Sequence, residues 1–293
     1  MKNLKQIKSR ISTISGIKKT TKAMQLIAAT KLGSLKNAIN YAQSFYNNAK
    51  QTFQITLNQY KYFDIEPKNY LERLLLDYKN YAHNNKKHII FVISANQGLC
   101  GSFNQQLFKF TNENVKLFQE SNDELEFVTY GKKAHEFYSK RFANNSDYTS
   151  DSKNIVQISL DIANKLVDKI LANECNDITI CANHFKNMIS QECKKNNVFG
   201  DLVDYYDVNN QLFNIETEGL LESTFKIYLH SLIYYNIISS KLGEESSRVM
   251  SMDNASKNAN KMIDSLTLIM NRARQAMVTK ELIEITTSAE LLQ

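Results

Sequence analysis

Residues 252–283 read MDNASKNANKMIDSLTLIMNRARQAMVTKELI. Met252, Ala255, Ala259, Met262, Leu266, Ile269, Ala273, Ala276 and Ile283 keep one heptad frame, and only Lys280 breaks it. A seam with that period is built to be covered by another helix, because helix stability comes mostly from burial of the apolar stripe. The alanines predict that the neighbour approaches closely. Upstream, Phe225, Leu229, Leu232, Ile233, Ile237, Ile238 and Leu242 also recur at helical spacing. Gly243 is the only glycine after Gly219, and the chain's one proline is Pro67. The spacing therefore predicts one helix over about residues 221–291, on the order of 100 Å long at ~1.5 Å per residue.

The opposite end of the chain answers it. Leu4, Ile7, Ile11 and Ile14 open a heptad frame that resumes at Ala28, Leu32, Leu35, Ile39, Ala42, Tyr46, Ala49 and Phe53. Between them the frame places Lys18, Thr21 and Gln25 in the seam, while Ile17, Met24 and Ile27 lie to one side. That sideways step predicts a helix that changes partner there. Matching seams at the two termini, over about residues 2–58 and 221–291, predict an antiparallel pair.

The middle reads as a separate α/β domain. Residues 89–95 form a short buried strand, followed by a helix at 103–118, a strand at 125–130 and a helix at 132–142. An amphipathic helix at 154–172 and a strand at 178–182 complete the alternation, which predicts a parallel, right-handed, Rossmann-like βαβ arrangement. The fold class is thus α/β plus a long antiparallel coiled coil whose terminal helices pair as a rod. The expected divisions are an N-terminal coiled-coil helix over 1–60, a connecting helical segment over 61–87 with a helix starting near Pro67, the central domain over 88–210, and the C-terminal coiled-coil helix over 211–293.

Charge is unevenly spread. The chain of 293 residues carries a net +6, yet residues 1–63 hold eleven Lys or Arg and no Asp or Glu. An acid-free basic arm favours an acidic partner, whether nucleic acid, anionic lipid or a protein surface. No apolar run reaches the ~18 residues needed to span a bilayer, and the N-terminus has no secretory signal pattern. Cys100, Cys175, Cys181 and Cys193 show no CxxC spacing, which predicts free thiols. His83, His88, His135, His184 and His230 show no ligand spacing, so no metal is expected. The loop 96–102, NQGLCGS, opens a helix after a strand, where phosphates can bind. It lacks both GxGxxG and a phosphate-holding lysine, so Gly98 and Gly101 read as turn residues. No triad, metal site or acid/base pair argues for catalysis, and no cofactor is expected.

Three stretches carry a resemblance. Residues 7–32, IKSRISTISGIKKTTKAMQLIAATKL, and 246–285, SSRVMSMDNASKNANKMIDSLTLIMNRARQAMVTKELIEI, resemble the two ends of the gamma subunit of F-type ATP synthases. GLCGSFN at 98–104 resembles that family's central loop, with Asn96 and Ser102 standing where the family often has Asp and Gly. Order and spacing agree, so the resemblance covers essentially the whole chain. It implies a non-catalytic subunit, the central rotary shaft that couples proton flow through a membrane c-ring to ATP synthesis or hydrolysis. The implied partners are the alpha and beta subunits of the catalytic head, the epsilon subunit and the c-ring, with no nucleic acid and no direct small-molecule substrate. Carried over by position, Met24, Arg248, Gln275 and Thr279 would contact the head. Arg248 is 27 residues from Gln275, about half a turn out of phase, and would meet a different subunit. The loop Gly98, Leu99, Cys100, Gly101 would lie in the foot, near epsilon and the ring. The implied location is the cytoplasmic face of a bacterial inner membrane, which the initial Met favours, with the matrix face of the mitochondrial inner membrane as the alternative.

The lack of a phosphate-holding lysine or metal carboxylates at 96–102 sets the first prediction. Isothermal titration of the isolated chain with ATP and Mg at micromolar concentration should give no binding. Binding that is lost on changing Gly98 or Gly101 would refute it.

Overall fold

The structure, a computed structural model, describes residues 4–78, 87–120, 124–142, 146–149, 154–188, 190–200 and 219–290. His83, the expected boundary at 210/211 and the expected helix ends at residues 2 and 291 lie outside the described residues.

Strand β1 (Lys87–Ile93) is apolar from Ile89 onward because both of its faces are covered. Ile89, Phe91 and Ile93 join one core, and Ile90 and Val92 join another. β1 pairs in parallel with β2 (Glu124–Tyr130) and β4 (Asp177–Phe185), and β2 pairs in parallel with β3 (Ser146–Thr149). The sheet order is β3-β2-β1-β4-β5. On one face, α3 (Phe103–Glu120) and α4 (Lys132–Tyr138) bring Leu107, Val115, Ala134 and Tyr138. On the other lie α2 (Tyr70–Leu76), α5 (Ile155–Leu171) and parts of α1 (Leu4–Tyr62) and α6 (Leu220–Glu290). No helix among the described residues is long and apolar enough to cross a membrane.

Two strands were not visible in the sequence pattern, and the sheet is mixed, not purely parallel. β5 (Gln191–Asn197), QECKKNN, runs antiparallel to β4 at the sheet edge. It has no apolar alternation, because an edge strand with charged residues is protected from pairing with other chains. The connecting helix starts later than expected. Asn69 caps it by accepting from the Glu72 N–H at 2.9 Å, so Pro67 lies outside the helix and not at its first position.

The chain forms two compact units, one of residues 1–30 with 248–293 and one of residues 31–247, so both long helices run through the division. Within the larger unit, α1 and α6 meet through aromatic rings. Phe53 packs on Phe225 at 5.5 Å and on Tyr228 at 5.4 Å between centroids, and Tyr46 stacks on Tyr235 at 5.6 Å. Such pairs contribute about 0.5–1.5 kcal/mol beyond their buried area.

In the smaller unit the two helices are antiparallel. Gln25 faces Asp253, while Gln6, Ile7, Arg10, Leu266 and Ile269 line one groove of about 400 Å³. The α1 seam does not step sideways as expected. Ile7, Ile11, Ile14, Lys18, Thr21, Gln25 and Ala28 are its covered or half-covered positions, and Ile17, Met24 and Ile27 are exposed. The heptad frame continues and simply accepts polar residues. The α6 seam also differs. Met252, Ser256, Ala259, Ile263, Leu266, Met270 and Ala273 are covered to varying degrees, whereas Met262, Ile269 and Ile283 are exposed. Adjacent apolar residues at 262–263 and 269–270 fit two frames, and the sequence pattern alone does not choose between them.

Glycine positions give opposite expectations. Gly131 has φ +94°, and a Cβ there would lie 2.2 Å from the Ser94 carbonyl oxygen. Gly131→Ala should lower stability by about 3 kcal/mol. Gly16 lies within α1 with nothing within 4 Å of a built Cβ, so Gly16→Ala should raise the helix's stability by about 0.8–1 kcal/mol. Urea unfolding monitored by circular dichroism for the first, and hydrogen exchange across α1 for the second, would check both.

Candidate functional site

A doubly wound sheet offers a ligand crevice at the carboxyl ends of its strands, where the strand order reverses. Here that point lies between β1 and β4, and side chains fill it. Ala95, Cys100 and Phe103 form a buried cluster. Asn183 donates from Nδ2 to the Phe103 carbonyl at 3.0 Å, and Cys193 donates from Sγ to Asn183 Oδ1 at 2.9 Å. Asn104 caps the loop by accepting from the Ala95 N–H at 3.1 Å. Gly101 and Leu99 both take positive φ, +60° and +64°, and the turn leaves Leu99 59 % exposed. The four cysteines are free thiols. Burial pushes Cys175 and Cys181 up to about 12 and Cys193 to about 11, far from a reactive thiolate. Among the described residues no group of His, Cys, Asp or Glu could hold a metal ion.

The 98–101 loop sits beside α6 at Gly243, whose built Cβ would meet the Phe103 ring at 3.3 Å. Residues 31 and 247, where α1 and α6 leave the larger unit, are at this same end, as the approach of Lys31 to Glu245 at 3.9 Å and of Ser247 to Gln191 at 2.9 Å requires. The end of α1 and the start of α6 meet the sheet at its other end. There Phe199 stacks against both Tyr78 and Phe225.

The smaller unit presents a surface of a different kind. It carries thirteen Lys or Arg against five Asp or Glu, a net +8, which leaves the larger unit at −2. Met24 is 37 % exposed and stands among exposed Ile17, Leu26 and Ile27. Gln275 and Thr279 are exposed one turn apart on α6, and the Thr279 hydroxyl donates to the Gln275 carbonyl at 3.0 Å. Around them Met277, Val278, Leu282 and Ile285 are also exposed. Sequence reading singled out the two polar residues and missed this apolar company, because it assigned Ala276 and Ile283 to a seam that has ended by then. Arg248 is placed differently from the other three, being only 9 % exposed.

A side-chain hydrogen bond joins the two helices in the smaller unit. Gln25 donates from Nε2 to Asp253 Oδ1 at 3.2 Å, and Lys257 reaches Asp253 Oδ2 at 2.6 Å. The Lys257 ammonium, ahead of Gln25, holds the Asp253 carboxyl below the usual carboxylate range.

The family described as ATP synthase matches residues 3–292. The chain is 30% identical to the ATP synthase gamma chain of Rickettsia bellii, over 99% of each chain. The chain belongs to the ATP synthase gamma-subunit family. It is 28% identical to the gamma chain of Rickettsia felis, again over 99% of both. Its fold is similar to the central stalk of the Tetrahymena thermophila mitochondrial ATP synthase, with TM-score 0.60 and 21% identity, over 81% of this chain and 99% of that one. A chain of the Euglena gracilis mitochondrial ATP synthase matches with TM-score 0.55 and 14% identity, over 92% and 95%. Gamma chains are non-catalytic stalk subunits.

From 275 to 288, α6 is exposed on every side. A helix segment with no covered stripe is marginal in water. Amide hydrogen exchange should find residues 276–288 weakly protected in the isolated chain and strongly protected in the assembled complex. Equal protection in both states would refute it.

Proposed function

We propose that this chain is the rotary shaft of a membrane-associated F-type ATP synthase, with the smaller unit turning inside a head of alternating alpha and beta subunits. The observation that carries the reading is the exposed end of α6, where Gln275, Thr279, Met277 and Val278 find no cover among the described residues. A single asymmetric pair of helices presents different side chains in each direction. Surrounding subunits that differ in conformation therefore meet different contacts, and each orientation of the shaft weights one nucleotide state over another. The net +8 of the smaller unit suits acidic surfaces on those subunits. Met24, Gln275 and Thr279 are the proposed contact residues. Arg248 is a contact only through the small part of its surface that its own chain leaves open.

The larger unit would meet the epsilon subunit and the c-ring. The 98–101 loop lies at the end of the sheet where α1 and α6 leave the unit, so it is a poor candidate for the ring side. The opposite end suits a ring better. It carries the exposed aromatic pair Tyr62 and Phe63, 5.1 Å apart. Beside them Lys61, Asp64, Glu66, Arg73 and Asp77 line an open cavity of about 740 Å³. The similarity to Rickettsia gamma chains supports the cytoplasmic face of a bacterial inner membrane as the site of assembly.

Gln275→Ala with Thr279→Ala tests the contact residues. Alanine is the best helix former, and no covered position is changed, so the helix should persist. Each lost hydrogen bond to the head costs about 1 kcal/mol net, so together they should lower ATP turnover or assembly of the whole complex by roughly thirtyfold. Asn254→Ala with Lys261→Ala, both exposed on α6, is the matched control and should leave turnover within about twofold. Lys257 is unsuitable as a control because it is tied to Asp253. Full activity of the double variant would remove these two residues from the interface.

A further inference from the structure

Between Asn236 and Ser247, α6 meets the α/β domain through two faces. One is apolar, with Ile237, Ile238 and Leu242 buried. Hydrophobic burial is non-directional and by itself fixes no bond angle between helix and domain. The other face is polar and almost wholly enclosed. Asn236, Ser239 and Ser240, with Ser246 seven residues beyond Ser239, share one side of the helix.

That face bonds to the carboxyl ends of β1 and β4 and to the turn and edge strand that follow. His184, on β4, is held below the ordinary histidine value by burial, so its ring is neutral. Its Nε2 lies 2.9 Å from Asn236 Oδ1, and Asn236 Nδ2 is already given to the Leu232 carbonyl at 2.8 Å, so the imidazole donates. The Phe185 N–H donates to Ser239 Oγ at 3.4 Å. Ser240 Oγ donates to the Ile93 carbonyl at 3.5 Å, and Ser246 Oγ to the Met188 carbonyl at 2.9 Å. Ser247 Oγ donates to Gln191 Oε1 at 2.9 Å. At the centre, Gly243 leaves a notch for the Phe103 ring and the Gln191 stem, which a Cβ would meet at 3.3 and 3.2 Å.

We infer that this row of hydrogen bonds, with Phe103 seated at Gly243, is the key by which the α/β domain turns α6. The inference rests on the rotary-shaft reading. Side-chain atoms stand about 5 Å from a helix axis. A roll of roughly 20° moves them by about 1.8 Å, enough to break a 2.9 Å hydrogen bond. Sliding by one residue would drive a side chain into the Gly243 notch. The row therefore resists both rotation about the axis and displacement along it, and adds fixed bond directions to what the packing of the apolar face supplies. Asn236, Ser239, Ser240, Ser246 and Ser247 are positioning residues, needed in proportion to the load.

The test uses the whole complex containing this chain, reconstituted into liposomes. Asn236→Leu, Ser239→Ala, Ser240→Ala, Ser246→Ala and Ser247→Ala together remove the directional contacts and keep good helix formers. ATP hydrolysis without a gradient should stay within twofold of the wild type, while the maximal ATP-driven pH gradient should fall at least twofold. An unchanged gradient would overturn the key, and so would losses of hydrolysis and gradient in equal proportion. If that variant does not assemble, Gly243→Val is measured in the same way. It leaves the bonding groups in place but displaces Phe103 and Gln191. The same split is expected, and equal or absent losses again overturn the inference. A wild-type complex that hydrolyses ATP without building any gradient would overturn the shaft reading itself.

Discussion

Neither long helix can stand by itself, and most of the structure follows from how each is covered. α1 and α6 have 59 and 71 residues, far beyond what local propensity stabilises in water. In the larger unit the cover is generous. Phe53, Tyr228, Phe225 and Tyr46 interlock, and the same residues continue into the core beneath the sheet. In the smaller unit it is thin. The fully buried apolar seam residues there are Ile7, Ala28, Met252 and Ala259, with Lys18, Thr21 and Gln25 taking positions that aliphatic residues would fill elsewhere. Stability is therefore graded along each helix. The firm end is fixed to the α/β domain, and the lean end is left with apolar surface for a partner to cover.

Much of this gradient was legible in the sequence. The heptads at both termini, the scarcity of glycine and the buried strand at β1 each have a single physical reading. What failed did so for identifiable reasons. The polar stretch Lys18, Thr21, Gln25 looked like a departure of the helix from its partner, because periodicity scores side-chain type and not position. In the fold the backbone keeps its frame, and Gln25 exchanges a seam contact for a hydrogen bond to Asp253. The paired apolar residues Met262–Ile263 and Ile269–Met270 gave two equivalent frames, which only the neighbouring helix resolves. β5 carries charge where a strand usually alternates, as edge strands do.

The site divides in the same way. Gln275 and Thr279 could be placed on an exposed face from spacing alone. Their apolar neighbours could not, because an exposed Val278 or Leu282 has the same sequence signature as a buried one. The 98–101 loop gave the right turn chemistry, with Gly101 at positive φ. Its location depends on where α6 lies across the sheet, and no local pattern encodes that. The buried row Asn236 to Ser247 was hidden beneath a stronger signal, since the apolar residues of the same helix dominate any periodicity.

The absence of acid from the start of α1 has one more consequence. A helix amino terminus carries a partial positive charge, and acidic residues normally offset it. α1 has none in its first turn, and Lys5 and Lys8 follow immediately. α6 likewise has no basic residue in its last described turn. Each mismatch costs about 0.3–1 kcal/mol at low ionic strength. An anionic surface brought against α1 gains twice, once from the lysines and once from the dipole, and salt weakens both gains together.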